Sequence, residues 1–199
     1  MMKRSKKELI KLFTGQMKTL RLRGCSRDII KVFRDKLDEV LNKAAEMEIP
    51  KGHIPFVPVI PYSFMDIPKL MAMVKKDGKI GYTYLNQEKI FDHLEIPGNL
   101  YFIYDVKDGK DMLDKSPEQA QKLVKKQKRF CLTVAEAIAL CVHTNSSAGH
   151  YMYCLGSYHN SLELVPGISL TISGPMLGCY KIETKNDGFG IPSCKMRAV

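Results

Sequence analysis

The sequence lacks the short motifs that advertise common chemistry. It has no G-x4-G-K-[ST] loop and no GxGxxG after a strand, so no phosphate cradle for a nucleotide-driven motor is present. GxSxG and HExxH are missing as well, and Gly156-Ser157-Tyr158 is not a nucleophile elbow, which argues against a lipase-type hydrolase. No stretch approaches eighteen consecutive apolar residues, the length a membrane-spanning helix needs. The six cysteines are widely scattered without a CxxC pair, which excludes a disulfide-rich secreted scaffold and implies reduced thiols in a cytoplasmic setting. The basic start (Lys3, Arg4, Lys6, Lys7) leads into no secretory core, because Lys11 interrupts the apolar run that follows.

What is present is the composition of a soluble globular chain: 199 residues, 45% apolar and 26% charged, enough for one domain with a sizeable core. The net charge of +10 is placed unevenly. Residues 1–27 carry nine Lys or Arg against one acid, Glu8, while the remainder is nearly neutral. Ser5–Glu8 is a capping box ahead of Leu9, Phe13, Met17 and Leu20 on one helical stripe, with Gly24 as the stop. The apolar period from Ile29 to Ala44 predicts one long helix over 27–48. Residues 1–50 thus read as a basic helical hairpin packed on an α+β body, residues 51–199.

Within that body, Asn99–Val106 is the most strand-like run, mostly apolar on both faces and bounded by Pro97-Gly98 and Lys107-Asp108-Gly109, so it is expected to be a central strand. Ile54–Pro61 has a proline at every third position and is expected along an edge or across the surface, where it offers a partner-docking strip. Asp66 with Pro68 starts a short helix, Asn86 a two-turn helix, and Ser116–Gln119 and Thr133–Glu136 are capping boxes. Asn145–Gly149 reads as a loop. Strands are expected at Gly81–Leu85, Tyr151–Leu155, Ile168–Ile172 and Cys179–Glu183, then a turn at Asn186–Gly188 and a tail. The fold class is therefore α+β, a small mixed or mainly antiparallel sheet flanked by helices.

Four groups of residues have the composition of a site. Asp105, Asp108 and Asp111 stand at and just after the end of the central strand, a usual place for a catalytic carboxylate or Mg²⁺, though their spacing does not fit an EF-hand loop. Cys141, His143, His150, Cys154 and His159 gather Zn²⁺-type donors in nineteen residues, with no recognised zinc spacing. Cys194 lies between cations in a non-apolar tail, the setting that favours thiolate, with His150 or His159 as the available base. Lys3, Arg4, Lys6, Lys7, Lys18, Arg21 and Arg23 form a basic arm suited to phosphate backbones. The lysines from Lys122 to Lys128, with Arg129, fall in the last turns of a helix, where they offset its dipole.

Five stretches, Ile54–Pro61, Asp105–Lys110, Cys131–Ala137, Leu155–Ser157 and Ile191–Cys194, are similar to an uncharacterised bacterial domain family of about this length, over residues 54–197. Some of its members are named as helicases, a description the missing phosphate loop keeps off this chain. The resemblance implies no catalytic residue and lends weight only to the Ser157 and Cys194 neighbourhoods. The leading expectation is a cytoplasmic, non-motor domain binding a small ligand or protein partner in a cleft beside Asp105, Ser157 and Cys194. A cysteine-dependent enzyme using Cys194 and nucleic-acid binding through residues 1–27 stand as alternatives. No cofactor and no membrane partner are expected.

Overall fold

Burial decides the position of Tyr101–Val106. All six of its residues are buried, as an apolar strand covered on both faces must be. In the computed structural model it is the middle of a three-stranded antiparallel sheet, between Ile54–Val59 and Met196–Ala198. Residues 4–113, 115–144, 150–161, 163–182 and 188–199 are described. Lys3, the loop expected at Asn145–Gly149 and most of the turn expected at Asn186–Gly188 lie outside them.

The chain is α+β. Its helices among the described residues are α1 (Lys6–Leu22), α2 (Arg27–Asp35), α3 (Leu37–Glu46), α4 (Ile67–Met73), α5 (Pro117–Lys126) and α6 (Val134–His143). The capping boxes at Ser5, Ser116 and Thr133 all form. The single helix expected over 27–48 is broken at Lys36, which leaves helical geometry and ends α2 as it begins α3. Periodicity could not reveal the break, because Ile30, Phe33, Val40, Leu41 and Ala44 on both sides of it enter the same core. That core is continuous from α1 to the central strand, where Phe13 and Phe33 both pack on Phe102.

Ile54–Val59 is an edge strand, as its prolines require, but it does not cross the surface: Pro55, Pro58 and Pro61 are buried. A docking strip for a partner is therefore not what these prolines form. The helix expected after Asn86 is a single 3-10 turn, Gln87–Lys89, running into a strand at Ile90–Asp92 that pairs with Ser157–His159. Neither Pro166-Gly167 nor Pro175 divides strands; Leu164–Thr171 and Gly174–Lys181 form one long hairpin in a mixed five-stranded sheet. The expected tail is the largest correction. Ser193–Cys194 pairs with Phe130–Cys131, and Met196–Ala198 completes the central sheet.

A buried ion pair holds that returning strand. Glu136, with no exposed surface, accepts hydrogen bonds from Arg197 at 2.6 and 2.7 Å, from the Tyr101 hydroxyl at 3.0 Å and from the Thr133 N–H at 2.9 Å. Burial opposes charge on the Arg197 guanidinium, yet its bonds to Glu136 outweigh that, so the net shift of its pKa is upward. The Tyr101 hydroxyl is pushed up by burial and by Glu136.

Candidate functional site

The register of the central sheet brings His53 to Asp105. Ile54 is paired with Val106, so His53, one residue earlier, stands across from Lys107 and diagonal to Asp105. Asp105 has φ +49°, a left-handed backbone conformation that aspartate tolerates better than most residues. Its carboxylate is buried, and both oxygens are engaged: Oδ1 accepts the Nδ1–H of His53, and Oδ2 accepts Arg129 Nη1 at 2.9 Å.

Arg129 leaves the lysine run in which the sequence placed it. After α5 the chain turns through Lys128 at φ +54°, and the Arg129 side chain goes inward. Its Nη2 donates to the Asp105 carbonyl and to the Ser193 carbonyl at 3.1 Å, and its Nε donates to Ser193 Oγ at 3.0 Å. The C-terminal segment closes the base of this arrangement. Lys107 N–H donates to the Ser193 carbonyl at 2.8 Å, and a Cβ on Gly109 (φ +85°) would lie 2.2 Å from the Ile191 backbone. Glycine is required at 109 on both counts.

Chemically, this is a histidine whose ring is oriented by a buried carboxylate that an arginine fixes in turn. With the Nδ1 proton committed to Asp105, a neutral His53 keeps its lone pair on Nε2. Among the described residues no hydrogen bond reaches Nε2. His53 lines an open cleft of about 420 Å³ with Gly52, Lys107, Asp108, Lys110 and Asp111. Lys107 is neutralised by Asp111 at 2.6 Å, and Asp108 Oδ1 accepts the Lys110 N–H at 3.0 Å. The Lys110 ammonium has no carboxylate partner among the described residues.

The other sequence candidates are placed apart from this cleft. Cys194 is fully buried, and burial pushes its thiol far up; Glu136 adds to the rise, and Arg197 and Arg129 offset it only in part. The cations anticipated beside it are real, but desolvation outweighs them, so Cys194 is not presented as a thiolate nucleophile. The histidines proposed as its base are engaged elsewhere. His150 donates from Nε2 to the Asp108 carbonyl at 2.9 Å, and His159 Nδ1 accepts the Ser161 N–H at 3.2 Å.

Ser157 is also fully buried. It donates to Asp92 and accepts the Val134 N–H at 2.9 Å, while the Tyr62 hydroxyl accepts the Ala135 N–H at 3.2 Å, so the two side chains cap α6. Burial raises the Asp92 carboxyl to about 6. A neighbouring cleft of about 400 Å³, with His93 stacked on Tyr158 at 4.6 Å, does not reach the Ser157 hydroxyl. Cys141 and Cys154 lie in the core, their thiols raised by burial, Cys141 to about 12. His143 ends α6 beneath α1, both ring nitrogens buried and without a hydrogen-bond partner among the described residues, and burial lowers it to about 3. No three His, Cys, Asp or Glu side chains among the described residues come together as a metal site.

Of the basic arm, Arg4 donates to the His53 carbonyl at 2.8 Å, and Arg23 caps α1, half-buried. Lys6, Lys7, Lys18 and Arg21 are exposed, as is Lys11, which the sequence reading passed over. His53 and Arg129 were also missed. One sits alone before a proline-rich strand and the other closes a lysine run, and neither context signals a partner.

The sequence profile of a family of unknown function, DUF5701, matches residues 17–153. The chain belongs to this family. The matched span holds His53, Asp105, Arg129 and the whole cleft lining, and stops short of Ser193 and the returning strand. It begins inside α1, thus reaching further into the helices than the resemblance over 54–197 implied, and ending earlier. No curated protein and no solved structure matches the chain. No helix among the described residues is long and apolar enough to cross a membrane.

Proposed function

We propose that this chain is a cytoplasmic, non-motor domain that binds a small carboxylate- or phosphate-bearing ligand in the cleft at the end of the central strand. The observation that carries this reading is the Arg129–Asp105–His53 relay, which orients the His53 ring with its Nε2 on the cleft. Two of the groups lining the cleft suit an anionic end of a ligand: the Lys110 ammonium, which has no carboxylate partner among the described residues, and the His53 ring in its doubly protonated form, whose Nε2–H then donates. Among the described residues, no Ser, Thr or Cys lines this cleft. The chemistry this arrangement supports best is proton transfer by His53.

The test is a titration of protein carrying ¹⁵N-histidine, with inorganic phosphate and acetate used separately as probes. The His53 ring signals should move and saturate with at least one anion, and Lys110→Ala should weaken that response. His53 signals that ignore both anions, while Asp105→Asn visibly shifts them, would overturn the assignment.

A further inference from the structure

On a separate surface, the geometry points to the outer face of α1 as a docking site for double-stranded nucleic acid, bound through its phosphates. At 3.6 residues per turn, Lys7, Lys11, Lys18 and Arg21 fall within about 80° of one another around the helix. Thr14 lies among them, and all five are exposed. The stripe runs about 21 Å along the axis, the rise of about six base pairs. The opposite face, Leu9, Phe13, Gln16, Met17 and Leu20, is buried and holds the helix rigidly on the core.

Three features separate this stripe from an ordinary solvated face. First, it has no acids: between Leu9 and Arg27 there is none, and Glu8 is turned back onto Ser5. None of the four cations makes an ion pair among the described residues, whereas Lys69, Lys107 and Lys122 each have a carboxylate. The outward cations of α2, by contrast, alternate with Asp28 and Asp35. Second, the exposed face of α1 bears no aromatic ring. Bases have nothing to stack on, which favours a duplex read along its backbone over a single strand. Third, the apolar face of α1 is already committed to the core, so the helix has no hydrophobic side to bury in a bilayer.

The full chain would be tested by fluorescence anisotropy with end-labelled DNA and RNA duplexes of arbitrary sequence. Four phosphate contacts should make affinity fall about 100-fold between 50 and 200 mM salt. The variant carrying Lys7→Gln, Lys11→Gln, Lys18→Gln and Arg21→Gln should lose most of both affinity and salt dependence. A control carrying Lys122→Gln, Lys125→Gln, Lys126→Gln and Lys128→Gln on and just after α5, with the same change in charge, should retain them. Matching thermal melts would establish that both variants fold. The inference is overturned if neither duplex binds at low salt, if the α5 control loses as much as the α1 variant, or if only anionic lipid vesicles bind.

Discussion

Glu136 with Arg197, and Asp105 with Arg129, are the same device at first sight: a buried carboxylate gripped by an arginine fork. Around Glu136, each carboxylate oxygen accepts two hydrogen bonds, and Arg197 is completed by the Cys131 carbonyl and the face of Phe130. Neither of the clefts described above is lined by that network, and its effect is to lock α6, the central strand and the C-terminal strand together. Around Asp105, one oxygen is given to His53, and His53 still has an unused nitrogen on an open cleft. The difference teaches that charge and burial do not distinguish a closed structural pair from the pair proposed to serve a ligand. The unused hydrogen-bonding valence does.

Breaking the closed network should give the largest effect. Glu136→Gln leaves the Arg197 cation without its counter-charge and is expected to cost about 3–5 kcal/mol of stability. In thermal unfolding that is a fall on the order of 10 °C. A loss below about 1 kcal/mol would mean that the fork is not structural.

Asp92 sharpens the comparison, because it is a largely buried carboxylate with a hydroxyl partner and, among the described residues, no ion-paired cation. Its folded pKa of about 6 lies above the ordinary 3.8. The folded state therefore holds more proton than the unfolded state between these values. Its contribution is fully present below the unfolded pKa and is lost as pH rises through 6. Asp92→Asn should stabilise the chain at pH 7 by about 1–3 kcal/mol and remove this slope. His143 works in the opposite sense, since its lowered pKa makes acid, below the ordinary 6.5, destabilising. Denaturant melts of Asp92→Asn from pH 4 to 7 should thus leave the His143 limb alone, with stability rising steadily with pH. An unchanged profile would refute the assignment to Asp92.

The smallest expected stability effect lies at the open end. His53→Ala should cost about 1–2 kcal/mol, because Asp105 loses one partner but keeps Arg129, and a ring at the cleft edge supports little packing. The same substitution should abolish anion binding in the cleft. If stability fell as far as in Glu136→Gln, His53 would belong to the scaffold and the contrast would fail.

Local signals were legible wherever the cause was local. Ser5, Ser116 and Thr133 each met a Glu or Gln three residues on, and all three boxes formed because capping needs only one turn of chain. The doubly buried central strand announced itself by apolar residues on both faces, and the edge position of Ile54–Val59 followed from its prolines. Asp105 was also legible as a candidate by its place at a strand end.

Its partners were not. His53 and Arg129 are 52 and 24 residues from Asp105 in sequence and meet it only through strand register and the turn at Lys128. Cys194 shows the converse. Its neighbouring cations suggested a reactive thiol, but whether a cation or desolvation dominates depends on what covers the sulfur, and the returning strand covers it completely.

By itself, the sequence determined the class of the fold, the helix starts, the central strand and the uneven placing of charge. These follow from periodicity and composition within a few turns of chain. Tertiary structure alone decided that the apparent tail is the third strand of the central sheet, that one arginine leaves a basic run for a buried carboxylate, and that one histidine keeps a nitrogen free. Each depends on which distant backbone lies alongside, and a pairing of that kind is an energy of the whole fold that no local stretch encodes.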